Sequence, residues 1–289
     1  MNRAERRRQT KQRGKSAATH AGSPPTPFSI ATIKTQLQQA NSPTEVQRFL
    51  AALVQQGLPP VASEELSAYA AQFHETKAAL QTSDASTDAP TTVSGLVDNA
   101  HAWADSLIER SPERNQRACR AECAFCCYLP TVLVSAAEAV HLAAWLQAHC
   151  TPEELTLIRK RVAERLQSQA STSTPGQRPL PCPLLQDDRC MAYAVRPLKC
   201  RGWTSLRREA CEQAYGHGST AEQIPADAYA FVMGNAVLNG LSDSVTQNNL
   251  DGGSYDLTHA LACVLDTPHV VARWRTGERL FDAVPQHVA

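Results

Sequence analysis

The sequence has no apolar run of roughly 18 residues, so no transmembrane helix is expected and no membrane contact is assigned. It has no G-x-G-x-x-G, no P-loop and no H-E-x-x-H, which removes sequence support for nucleotide binding and for zincin-type hydrolysis. Aromatic residues are scarce at 6%, and net charge is absent, with 28 Lys and Arg against 28 Asp and Glu. The basic start is not followed by an apolar stretch; residues 17–27 are small and polar, so neither a secretory nor a twin-arginine signal is expected. The expected compartment is therefore a reducing cytoplasm, where the ten cysteines are free thiols or metal ligands rather than disulfides.

What is present points to helix. At 289 residues the chain can bury a core without covalent staples, and its abundance of Ala and Gln predicts a mostly α fold. Residues 1–27 read as a disordered basic tail, in which Arg3, Arg6, Arg7, Arg8, Lys11, Arg13 and Lys15 face only Glu5. The tail reads first as solvated chain and second as a contact with nucleic acid. Residues 28–80 read as a small helical arm with a structural or protein-docking role. In it Ile30, Ile33 and Leu37 mark one helix, Ser42-Pro43-Thr44-Glu45 a capping box, and residues 63–80 a third helix. Residues 81–92 read as a linker, and residues 93–285 as a helical, loop-containing metal-binding domain.

That domain opens on a helix marked by Val93, Leu96, Ala100, Trp103 and Leu107, where His101 reads as a packing or surface residue. Two further capping boxes, Ser135-Ala136-Ala137-Glu138 and Thr151-Pro152-Glu153-Glu154, start helices near 135–149 and 152–166. These two helices separate two cysteine blocks. The first block is Cys119, Cys123, Cys126 and Cys127, a C-x3-C-x2-C-C string; the second is Cys182, Cys190 and Cys200, with an Asp187-Asp188-Arg189 turn inside it. Helices near 225–241, 257–265 and 270–281 complete the chain.

Wound as a helix, the first block would turn its four thiols to one face. Thiols crowded in this way bind a metal or cluster, pair with one another, or fill a core. Thiolates suit zinc, copper(I) and iron–sulfur clusters, and ligands two or three residues apart close on one ion with little loss of chain entropy. The seven clustered cysteines are therefore expected to be ligands. Cys127 is the one whose role stays open, because adjacent side chains diverge. Cys150 and Cys263 read as core thiols, with Cys211 undecided. Arg196 and Arg201 are expected beside the sulfurs, offsetting the negative charge of a thiolate centre, and Pro197 holds Arg196 extended. C-x3-C-x2-C is also the motif of radical S-adenosylmethionine enzymes, but the chain lacks the strand and helix alternation of a β/α barrel.

The ordered combination of Cys119, Cys123, Cys126 and Cys127, then Cys182 and Cys190, then Tyr193, Arg196-Pro197 and Cys200-Arg201 resembles the YkgJ-type cysteine-cluster family. The resemblance covers residues 115–205, extends loosely to Phe281, and leaves out residues 1–92. It implies a bacterial zinc- or iron-chelating protein, and a similarity to flagellin lysine N-methylase. The leading expectation is a protein that binds iron, as an iron–sulfur cluster, or zinc. An iron–sulfur enzyme of methyl transfer or redox chemistry is the second. A metal-stapled module docking a protein through residues 28–80 is the third.

Overall fold

A computed structural model describes residues 29–82, 90–120, 122–170, 179–217 and 224–287. The expected basic tail, the central part of the expected linker and residues 171–178 lie outside the described residues. Contacts divide the chain into Met1–Gln36 and Leu37–Ala289. Of the first unit, residues 29–36 are described: they hold the start of helix α1 (Ile30–Gln39), whose first turn receives a Thr32 N–H bond to Ser29 Oγ at 3.4 Å.

The second unit is mostly helical, and several of its helices begin where short polar side chains satisfy free backbone N–H groups. Helix α2 (Pro43–Gln55) starts at Ser42, whose Oγ accepts the Glu45 N–H, with Pro43 at the first helical position. Glu45 reaches back to the Asn41 N–H at 2.9 Å, one residue earlier than an ideal box requires. Helix α3 (Pro60–Thr82) then lies along α9 (Ala228–Gln247). The expected arm is thus not a separate body from Leu37 onward, because α3 buries Leu66, Tyr69, Phe73 and Leu80 within the same unit as the cysteine blocks. Tyr69 also donates to Asp243 of α9 at 2.8 Å.

The two helices approach closely at Gly240, where an added Cβ would stand 2.5 Å from the Tyr69 carbonyl oxygen. Backbone cannot yield there as a flexible side chain can. Gly240→Ala is accordingly expected to lower the unfolding free energy by about 1–3 kcal/mol, measured by urea denaturation. An unchanged midpoint would show that α3 is held elsewhere.

Helix α4 (Pro90–Ile108) packs on α9 and on α5 (Ala136–His149). Residues 136–143 of α5 are buried all round, which makes the first half of this helix the centre of the fold. Strand β1 (Leu133–Ser135) leads into α5, and β4 (Ser254–Asp256) leads into α10 (Leu257–Val264). The strands pair antiparallel, Leu133 with Asp256 and Ser135 with Ser254, so each strand ends on the residue that caps the next helix. Helix α6 (Pro152–Ala170) covers α10, and α11 (Val270–Arg275) covers α5. The last helix is shorter than its sequence pattern predicts, ending at Arg275; the chain then turns so that Phe281 stacks on Tyr255 at 4.7 Å.

Candidate metal centre

Residues 119–127 are not the helix on which the four thiols would share a face. Residues 117–120 are irregular, Glu122 takes a left-handed φ of 67°, and only Phe125–Tyr128 coil into a 3-10 turn. A left-handed residue at Glu122 ends any helical run before Cys123. Cys119 and Cys126 are exposed, Cys123 and Cys127 half-buried.

The second block comes beside the first through main-chain contacts. The Cys182 N–H donates to the Cys127 carbonyl at 2.7 Å. Arg165 of α6, only 4% exposed, donates to the Leu129 carbonyl at 2.6 Å and the Pro130 carbonyl at 3.1 Å, and also to the Leu180 carbonyl. One guanidinium therefore ties the chain leaving the first block to the chain entering the second. Strands β2 (Leu185–Gln186) and β3 (Arg189–Cys190) form a hairpin whose turn residues, Asp187 and Asp188, both have positive φ, 48° and 58°. That is the backbone a two-residue turn of the primed type demands. Arg189 of the hairpin pairs with Glu122 of the first block.

Cys200 sits on helix α7 (Leu198–Gly202), placed by two contacts. Glycines 202 and 234 let α7 settle on α9, since a Cβ at Gly234 would lie 3.3 Å from the Gly202 Cα. Glu138 of α5 holds the other end, its Oε1 accepting the Leu198 N–H at 2.7 Å while Oε2 accepts from Ser135 N–H and Oγ–H. Helix α8 (Arg208–His217) places Cys211, which is buried, near Cys119 and Cys123; a Cys211 thiolate would raise Cys119, and a Cys123 thiolate would raise Cys211.

A backbone N–H points directly at one of the sulfurs. The Ser205 N–H stands 3.2 Å from Cys119 Sγ. The N–H groups of Phe125, Leu184 and Ala192 favour the thiolates of Cys123, Cys182 and Cys190, each from two residues further along the chain. Burial works against ionisation: it pushes the Cys182 thiol up to about 12 and the Cys200 thiol well above its ordinary value, where other thiolates add to the rise. Cys126 departs from the rest. The Cys127 S–H donates to its sulfur and, with the Arg196 charge, brings Cys126 down to about 7. Cys127 is pushed far up for the same reason, since losing its proton would break that bond beside the charges of Cys126, Cys182 and Cys190.

A Cys126 thiolate thus acts on sulfurs of both blocks, Cys119 and Cys123 in the first and Cys182, Cys190 and Cys200 in the second. Nevertheless, among the described residues no three cysteine sulfurs lie within 4.8 Å of one another. Cys150 and Cys263 stand apart on α5's C-cap and on α10. Arg196 stacks on the Tyr193 ring at 4.0 Å; its charge helps lower Cys126 and offsets part of the rise that burial gives Cys190. Arg201 is placed differently. Its guanidinium turns to α4, donating to Asp105 at 2.6 Å, to the Ala194 carbonyl at 2.6 Å and to the Arg196 carbonyl at 2.8 Å.

No family model, no curated protein and no solved structure matches this chain.

The structure also gathers a polar group that single-residue reading does not find. His101 is 4% exposed, and its Nε2 lies 3.4 Å from Glu138 Oε1 while Arg201 donates to its Nδ1 at 3.3 Å. His141 faces Ser94 Oγ through Nδ1 at 3.3 Å, and burial holds its imidazole below its ordinary pKa. Burial alone would raise the Glu138 carboxyl, but His101 and the N–H groups of Leu198 and Ser135 outweigh it and hold the carboxyl below the usual range. The sequence did carry a signal: an acid stands three residues before a histidine at 98/101 and again at 138/141.

Proposed function

We infer that the two cysteine blocks hold iron, as an iron–sulfur cluster, or zinc, through thiolates drawn from Cys119, Cys123, Cys126, Cys127, Cys182, Cys190 and Cys200. The observation that carries this reading is the meeting of the two blocks, with the Cys182 N–H bonded to the Cys127 carbonyl at 2.7 Å and the Ser205 N–H 3.2 Å from Cys119 Sγ. A neutral thiol is a weak acceptor, whereas a metal-bound thiolate gains from such donors, and hydrogen bonds to sulfur tune a cluster's potential. The donor set is soft, which suits iron–sulfur clusters and zinc. Arg196 supplies the compensating charge at Cys126 and Cys190. Arg201 contributes by fixing α7, and so Cys200, against α4.

Spacing favours the cluster over a single ion. Sulfurs around one tetrahedral zinc stand ~3.8 Å apart at Zn–S bonds of about 2.3 Å, closer than the thiols here come in groups of three. A multi-iron cluster, with its ligands bound to different irons, asks for less closure. When bound, such a centre supplies electron transfer or Lewis acidity. The residues of this chain supply thiolates and an N–H donor to sulfur, from Ser205 to Cys119. The motif's resemblance to the YkgJ-type chelating proteins supports the same reading, with residues 1–92 outside it. An enzymatic use of the centre remains the second reading, and substrate-dependent turnover would separate it from metal holding alone.

The direct test is anaerobic purification followed by absorption spectroscopy and metal analysis. A broad band near ~400 nm with bound iron is expected of a cluster. A colourless protein with one zinc per chain would exclude the cluster, and a metal-free protein that takes up neither would overturn the thiolate reading.

A further inference from the structure

Helices α4 and α5 each carry an acid three residues before a histidine, Asp98 with His101 and Glu138 with His141. Residues three apart share a helix face, and the two helices pack against each other, so the pairs meet. One ligand atom from each of Asp98, His101 and His141 lies within 4.8 Å of the other two. His141 is 3% exposed, and its Nε2, though 3.3 Å from Asp98 Oδ1, has no hydrogen-bond partner. A buried ring nitrogen left in this way lacks the partner that buried polar groups nearly always have. In the tautomer that donates Nδ1–H to Ser94 Oγ, Nε2 keeps a free lone pair 3.3 Å from Asp98 Oδ1.

We propose that Asp98, His101 and His141 hold a divalent transition-metal ion of the zinc type, at a nitrogen- and oxygen-ligated site separate from the thiols. Two imidazoles suit zinc, iron and nickel rather than calcium or magnesium, which take oxygen ligands alone. Each histidine already has the outer partner that ligating histidines use to fix their tautomer, Ser94 for His141 and the Glu138 carboxylate for His101. Asp98, whose side chain is 57% exposed, opens the site to solvent and leaves positions for water or a substrate atom.

Arg201 is the competing occupant. It is a donor only, so His101 Nδ1 accepts from it and the ring proton sits on Nε2, toward Glu138. Ligation therefore uses His101 Nδ1 and displaces a single 3.3 Å contact, while Arg201 keeps Asp105 and the carbonyls of Ala194 and Arg196. Its positive charge opposes the incoming ion, and the carboxylates of Asp98, Asp105 and Glu138 offset that charge.

Anaerobic cobalt(II) titration of the full-length protein tests this, because nitrogen and oxygen ligation gives weak visible bands without the near-ultraviolet charge transfer of cobalt–thiolate bonds. Wild type is expected to show one equivalent of the first kind, and Asp98→Asn to bind that equivalent at least tenfold more weakly with its thiolate charge transfer unchanged. His141→Gln is expected to lose it. The equivalent should persist in Cys123→Ser, so failure of the thiolate centre leaves this proposal standing. Asp98 lies at the surface, so its variant keeps the packing even where His141→Gln unfolds. An Asp98→Asn protein that titrates like wild type overturns the proposal, as does a loss in step with the thiolate charge transfer.

Discussion

Cys123→Ser is expected to lose its metal, while Cys263→Ser keeps the wild-type content. Serine preserves size and removes the soft ligand, so the comparison isolates thiolate chemistry from packing. Cys123 lies on the irregular first block, where its sulfur faces the Phe125 N–H and senses Cys126. Cys263 lies on α10, with burial alone raising its thiol and no other cysteine acting on it. Even residues standing behind ligands are worth roughly 10–100-fold in metal affinity, so removal of a direct ligand is expected to cost more than about a hundredfold. The metal-free forms of both variants should unfold close to wild type, because neither sulfur is part of the deep core. Equal metal content in the two variants would refute the assignment of ligands.

Glu138→Gln should be the most destabilising single change at the centre of the fold. Its carboxylate is 2% exposed and accepts from Leu198, from Ser135 twice and from His101. An amide keeps the shape but turns one acceptor into a donor facing N–H groups. Hydrogen bonds to a buried charge contribute about 1.5–3 kcal/mol each, and breaking a buried pair costs about 3–5 kcal/mol, so a loss of roughly 3 kcal/mol is expected by urea unfolding at pH 7. The pH dependence carries the sign. Glu138 is held below the ordinary carboxylate range in the folded protein, so its contribution is complete above about pH 4–5 and fades as pH falls through the lower folded value. Wild type and variant should therefore converge in strong acid. The variant should also hold less metal, since Leu198 at the start of the Cys200 helix loses its anchor. A variant as stable as wild type at pH 7 would show that α7 is positioned without Glu138.

Local chemistry was legible in the sequence wherever one short segment decides the outcome. Ser135 with Glu138 and Thr151 with Glu154 form reciprocal caps as their spacing predicts, and Asp187-Asp188 makes its turn. What was not legible depends on partners far along the chain. Glu138 reads as the third residue of a capping box, which uses one oxygen; the other is committed to Leu198 sixty positions on. His101 reads as packing because nothing near it in sequence announces Glu138 or Arg201. Residues 119–127 suggest a thiol-bearing helix face, yet the left-handed turn at Glu122 and the Glu122–Arg189 pair give that segment another course. The breadth of the helical core was similarly hidden, because the α3 and α9 contact at Gly240 joins the expected arm to the cysteine unit.

The main-chain bond from Cys182 to Cys127 has a consequence for biosynthesis. During translation the first block leaves the ribosome early, then α5 and α6, and only afterwards Cys182, Cys190 and Cys200. Domains fold as units as they emerge, and contacts distant in sequence form late. A centre that draws sulfur from both blocks cannot be completed on a nascent chain that stops short of Cys200. On the proposed reading, loading therefore waits until Cys200 has emerged, and the exposed Cys119 and Cys126 are the first sulfurs within reach of whatever delivers the metal.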